Sequence, residues 1–169
     1  MKLATLDKGD TGHPAVLGPN NELLDLTDSG LADDSPGDVC SILGNDAAMG
    51  TVRAALDALN ALSDDARQNL RNTGALAALD KAELLAPVPR PKLILSVGLN
   101  YHRHLAEMEG TPAPPYPSAF MKTVNSLNGA GKPIILPPQC PDMVDYEAEL
   151  CFVFGRPCHN VSEAEAMDY

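Results

Sequence analysis

The chain has 169 residues, 44% of them hydrophobic and 21% charged, with a formal net charge of −11. That length holds one full domain or two small ones, and the composition is that of a globular protein. The negative charge excludes nucleic acid and anionic membrane surfaces as partners, because both demand positive charge.

Four cysteines stand at positions 40, 140, 151 and 158, without a CxxC pair and without zinc-ligand spacing. Neither a signal peptide nor a run of transmembrane length is legible, so a cytoplasmic protein with reduced thiols is expected.

Residues 2–26 read as short strands joined by turns. Residues 2–6 alternate, residues 7–14 form a loop of turn formers containing His13, and residues 15–17 and 22–26 are returning strands across the turn Gly18-Pro19-Asn20-Asn21. His13 is expected on the surface of that loop. Residues 27–38 are a polar, acidic linker.

Helical periodicity follows. Val39, Ile42 and Leu43 form a short stripe, and Val52, Ala55, Leu56 and Leu59 a longer one. Ser63 is placed to cap a further short helix. Pro87, Pro89 and Pro91 then favour a stiff, extended connector. The expected organisation is therefore a small N-terminal α+β domain over residues 1–86, a connector over 87–91, and a second domain over 92–169.

In the second part, residues 93–97 read as a strand ending at Gly98. A helix is expected next, with Asn100 near its N-cap. His104 and Glu107 lie three apart and share one face. A carboxylate beside an imidazole can orient its tautomer and make it a water-activating base. The same residues would equally serve as a polar coat on a surface helix.

Residues 110–118 hold four prolines and form a loop. Residues 120–122 and 133–137 read as short strands. Residues 145–154 alternate with a period of two, which sets Tyr146, Ala148, Leu150, Phe152 and Phe154 on a core-facing side and Glu147 and Glu149 together on the other. The Cα atoms of that glutamate pair would lie roughly 6–7 Å apart. Two carboxylates so placed either converge on a hard divalent cation or form an ordinary solvated face. Ser162-Glu163-Ala164-Glu165 fits a capping box, so a helix is expected to start at 162 or 163.

These segments resemble the fumarylacetoacetate hydrolase family. The resemblance rests on residues 97–107 (Val-Gly-Leu-Asn-Tyr-His-Arg-His-Leu-Ala-Glu), 119–122 (Ala-Phe-Met-Lys), 133–137 (Pro-Ile-Ile-Leu-Pro) and 145–150 (Asp-Tyr-Glu-Ala-Glu-Leu). It continues through Gly155-Arg156 to residues 161–169. It is to short, bacterial-type, acylpyruvate hydrolase-like members, and it covers the N-terminal portion of their catalytic domain.

The resemblance implies a mainly β fold with α elements: the small α+β domain followed by the first part of a mixed β-sandwich roll, in a homodimer. It implies Mg²⁺ or Mn²⁺, with Ca²⁺ as a further option, held by Glu147 and Glu149. It implies His104 and Glu107 as catalytic groups, Tyr101 and Lys122 as substrate-binding groups, and a small anionic dicarbonyl acid as substrate. The implied reaction is hydrolysis of a C–C bond in a 2,4-dioxo acid, with decarboxylation or isomerisation of a 2-oxo or enol acid as the alternative on the same site. The family's third metal carboxylate would fall beyond residue 169. The sequence therefore leads us to expect a longer protein, a second chain that supplies the remainder, or an inactive half-domain.

Overall fold

The computed structural model describes residues 1–9, 12–108 and 112–169. Asp10 and Thr11 of the expected first loop, and Gly110 and Thr111 of the proline-rich loop, lie outside the described residues. The chain divides into two compact units, one formed by Met1–Val88 with Asn128–Tyr169, the other by Pro89–Leu127.

The first unit is built on a four-stranded antiparallel sheet in the order β1-β2-β3-β4. Strand β1 (Leu3–Asp7) pairs with β2 (Gly12–Leu17), with Leu3 opposite Val16 and Asp7 opposite Gly12. Strand β2 pairs with β3 (Glu22–Asp25), which pairs in turn with β4 (Leu76–Ala78). The β2–β3 turn is a 3₁₀ turn over Pro19–Asn21, where Asn20 and Asn21 adopt φ values of 61° and 56°. Asparagine tolerates that left-handed region better than other non-glycine residues. The expected strands at 2–6, 15–17 and 22–26 are thus present, while β4 was missing from the sequence reading.

After β4 the chain crosses to the opposite edge of the sheet. Asp7 N–H donates to the Glu83 carbonyl and Leu85 N–H to the Thr5 carbonyl, at 2.9 and 3.0 Å. Residues 83–85 thereby cover the free edge of β1, where unpaired backbone groups would otherwise be a template for association. Gly12 fits this crossing because a Cβ there would come within 2.7 Å of Thr5 Cγ2.

Three helices cover one face. Helix α1 (Val39–Ile42) is capped by Asp38, α2 (Asp46–Ala61) by Asn45 and α3 (Asp64–Thr73) by Ser63, each side chain accepting a backbone N–H of the first turn. Helix α3 stops at Gly74, whose φ of 78° and N–H bonds to Leu70 and Arg71 carbonyls close it. Val52, Ala55 and Leu59 of α2 pack with Val16, Leu24, Leu26, Ile42 and Leu76 in the main core. The other sheet face carries a smaller cluster of Leu6, Ala15 and Leu23, with Leu84 against it. Alternate residues of β2 and β3 divide between the two clusters, as strand periodicity requires. A bidentate ion pair, Arg71 to Glu22 at 2.6 and 3.1 Å, ties α3 to β3.

Residues 128–169 are irregular and mostly exposed, which corrects three expectations. No strand forms over 133–137 or 145–154, and Ile134, Ile135, Tyr146, Leu150, Phe152 and Phe154 are exposed by 66–89%. The physical reason is that alternation only prepares a strand; a ladder makes it. Among the described residues no strand runs beside either segment. The capping box is half made. Glu165 accepts from the Ser162 N–H and hydroxyl, yet only a 3₁₀ turn over Ala166–Asp168 follows, not an α-helix. A helix this short needs packing to persist. The segment is fastened by Lys132, which bridges Glu83 at 2.8 Å and Asp7 at 3.5 Å, and by a close backbone approach of Gly155 to Gly44.

The second unit is a two-stranded antiparallel hairpin with an interposed helix. Strand β5 (Ile94–Gly98) pairs with β6 (Ser118–Lys122), with Ile94 opposite Lys122 and Gly98 opposite Ser118. Helix α4 (His102–Glu107) lies between them in sequence. Its N-cap is Tyr101, one residue later than expected, and it makes no side-chain cap bond.

Candidate active site

Helix α4 brings one expected pair together. His104 and Glu107 are one turn apart, and His104 Nδ1 lies 3.4 Å from Glu107 Oε2. The contact is long and open to solvent, with side-chain exposures of 49% and 74%. It sets the imidazole and the carboxylate in the relation that would let Glu107 hold the ring for proton transfer. The turn leading into this helix places Leu99 at φ 55°, a conformation that costs a non-glycine residue on the order of 1–3 kcal/mol. Tyr101 supplies the carbonyl that accepts the first helical bond, from Leu105 N–H at 3.1 Å.

Lys122 is not brought to the start of α4 by the hairpin. It pairs with Ile94, four residues from Gly98, the point where the chain leaves for the helix. That separates the two ends of the ladder by roughly 13 Å along the strand. The Lys122 ammonium instead lies over the Phe120 ring, 5.7 Å from its centre.

Glu147 and Glu149 belong to the other compact unit, in the irregular exposed segment. The shared strand face expected for them is not formed. They offer hard oxygen donors of the kind Mg²⁺ and Mn²⁺ take.

A second constellation escaped the sequence reading. His13 lies on β2, not in a surface loop, and its side chain is 19% exposed. Its Nδ1 is 2.9 Å from Asp25 Oδ2 and 3.5 Å from Asp28 Oδ2. His13, Asp25 and Asp28 each offer one ligand atom, all within 4.8 Å of one another, so a His/Asp cluster with the donors of a divalent cation site is present.

Its carboxylate is already fully engaged. Asp25 has no exposed surface, and its Oδ1 accepts the N–H groups of Thr27 and Asp28 at 2.8 and 3.0 Å. Lys8 Nζ lies 3.1 Å from Asp25 Oδ2 and 3.6 Å from Asp28 Oδ2. An ammonium thus stands where a metal would compete. Burial pushes the Asp25 carboxyl up, but hydrogen bonds from His13, from the N–H groups of Asp28 and Thr27, and from Lys8 outweigh it and hold the group below the usual aspartate range. The legible signal was a lone aspartate inside the apolar run Leu23-Leu24-Asp25-Leu26. A buried charge needs partners, and His13 on the neighbouring strand is one.

Residues 93–169 match the family model described as fumarylacetoacetate (FAA) hydrolase C-terminal. The likeness to that family covers this segment, and the four-stranded antiparallel sheet of the mixed α/β architecture is built ahead of it, from strands between Leu3 and Ala78. Among its relatives is oxaloacetate tautomerase fahd2, mitochondrial, of Xenopus laevis, 36% identical over 104 residues, which are 62% of this chain and 32% of that protein. The homoprotocatechuate catabolism bifunctional isomerase/decarboxylase of Escherichia coli is 41% identical over 83 residues, 48% of this chain and 19% of its own. Caffeoylpyruvate hydrolase of Neonothopanus nambi is 42% identical over 93 residues, 52% of this chain and 32% of its own. The chain spans about a third or less of the length of these relatives. Among the described residues no helix is long and apolar enough to cross a membrane.

Proposed function

We propose that residues 92–169, beyond the connector at 87–91, belong to the catalytic part of an enzyme that isomerises or decarboxylates a small 2-oxo or enol acid. The observation that carries this is the His104–Glu107 pair inside the segment matched to the family. The reaction type draws its support from the relatives named as a tautomerase and as an isomerase/decarboxylase. In this reading His104 moves the proton next to the substrate's carbonyl, Glu107 orients the ring, and Tyr101 at the start of the same helix meets the substrate's carboxylate. Glu147 and Glu149 are the donors we assign to Mg²⁺ or Mn²⁺, on the likeness of the matched segment to that family. When bound, such an ion polarises the oxygens of an oxo acid and stabilises an enolate.

Hydrolysis of an acylpyruvate-type acid is the second reading, favoured by the likeness to caffeoylpyruvate hydrolase. There His104 would take its proton from water. Product analysis separates the two. Purified protein with Mg²⁺ or Mn²⁺ is given oxaloacetate and a panel of acylpyruvates. Enol–keto conversion or released CO₂ supports the first reading, and two acid fragments support the second. An absence of turnover on every member, by folded protein, overturns both.

A further inference from the structure

Asparagine is followed by glycine once in this chain, at Asn128-Gly129. Asn128 is exposed and Gly129 half-buried, and the pair stands where the chain returns from the second compact unit to the first. The Gly129 N–H donates to the Asn128 side-chain oxygen at 2.9 Å. Asn128 Nδ2 donates in turn to the Pro133 carbonyl at 2.9 Å, which fixes the carboxamide in that orientation. The backbone nitrogen of Gly129 is thus held beside the carboxamide of the preceding residue. Glycine has no Cβ to block the nitrogen's approach to Cγ. Asparagine is among the thermolabile residues.

We propose that Asn128-Gly129 is a self-modification site at which the amide converts through a cyclic imide to aspartate and isoaspartate. The Gly129 nitrogen gives up its proton to water or hydroxide and bonds to Asn128 Cγ. The Cγ–Nδ2 bond breaks and ammonia leaves with a proton. One water then opens the ring. Opening at Cγ yields aspartate, and opening at the main-chain carbonyl yields isoaspartate; no oxidation or reduction occurs.

The product differs from the parent in two ways that this place in the fold makes consequential. The donor to Pro133 becomes an anion, so the bond that shapes the loop ahead of Lys132 is lost. Isoaspartate also lengthens the main chain by a methylene between Leu127 and Gly129. Gly129 packs so closely on the Leu84 carbonyl that even a Cβ has no room.

The test ages the whole purified chain in mildly alkaline buffer at physiological temperature, followed by peptide mapping with mass spectrometry. Asn125, followed by Ser126, is the internal comparator. The expected result is an amide-to-acid mass gain at residue 128 that outpaces Asn125 by about tenfold or more, a factor equal to about 1.4 kcal/mol of barrier. Isoaspartate appears among the products, and Asn128→Gln abolishes the signal. Retention of the amide at 128, over the time in which a free Leu-Asn-Gly-Ala peptide has converted, overturns the proposal.

Discussion

Asp25 is a carboxylate without solvent, and its worth is set by the groups around it. Its lowered pKa means that the stability it contributes is fully present above the ordinary aspartate value of about 3.9 and is lost as pH falls through the lower folded-state value. Asp25→Ala leaves two backbone N–H groups, the Lys8 ammonium and the His13 ring without their acceptor, and is expected to cost about 2–4 kcal/mol in urea unfolding. Asp25→Asn is expected to flatten the acid limb of the stability–pH curve; an unchanged limb in that variant would show that Asp25 does not carry it. Glu22 behaves alike: the Arg71 hydrogen bond holds its carboxyl down, despite the opposing effect of burial. At the proposed catalytic pair, His104→Ala should reduce turnover by about 10²–10⁴-fold, the usual contribution of a positioned general base. Glu107→Gln should move the pH profile of turnover more than it moves KM, since Glu107 acts through the ring. A variant pair with wild-type rates removes His104 and Glu107 from the reaction.

At the scale of elements, the helices show what periodicity can and cannot reveal. The stripe Val52, Ala55, Leu56, Leu59 was readable because α2 packs one face on the sheet, and three of those four side chains are buried. Leu59→Ala should cost about 2–5 kcal/mol by thermal unfolding. A cost below that range would mean the core closes over the gap. Gly74→Ala, at φ 78° in otherwise open space, should cost about 1 kcal/mol through backbone strain alone. Strand β4 was not readable, since three residues, Leu76-Ala77-Ala78, present no alternation. Residues 145–154 were misread for the opposite reason: their alternation is clear, but a strand also needs a neighbour that no local pattern can supply. The candidate site divides in the same way. His104 and Glu107 are a local pair, so sequence spacing found them. His13 and Asp25 meet across a strand register, which spacing along the chain does not report.

For the whole molecule, the decisive asymmetry is where the core lies. Among the described residues every buried hydrophobic side chain falls between Leu6 and Leu76. Slow amide hydrogen exchange is therefore expected in β1–β3 and α2, and fast exchange through residues 128–169, where few backbone groups are paired. Denaturant unfolding should show an m-value suited to a domain of about 90 residues, because m follows the surface exposed on unfolding. Strong protection in residues 145–154 would contradict the exposed, irregular segment described above.

The return of residues 83–85 to the edge of β1 also fixes an order of events. Thr5 bonds to the Pro87 carbonyl at 2.8 Å, across a sequence separation of 82. Contacts of such separation are entropically late and slow a domain's folding. On the ribosome, β1, β2 and β3 can pair as soon as they emerge, yet the edge of β1 stays open until residue 85 has been made. Until then the nascent chain carries an uncovered strand, and that interval is when a chaperone has most reason to hold it.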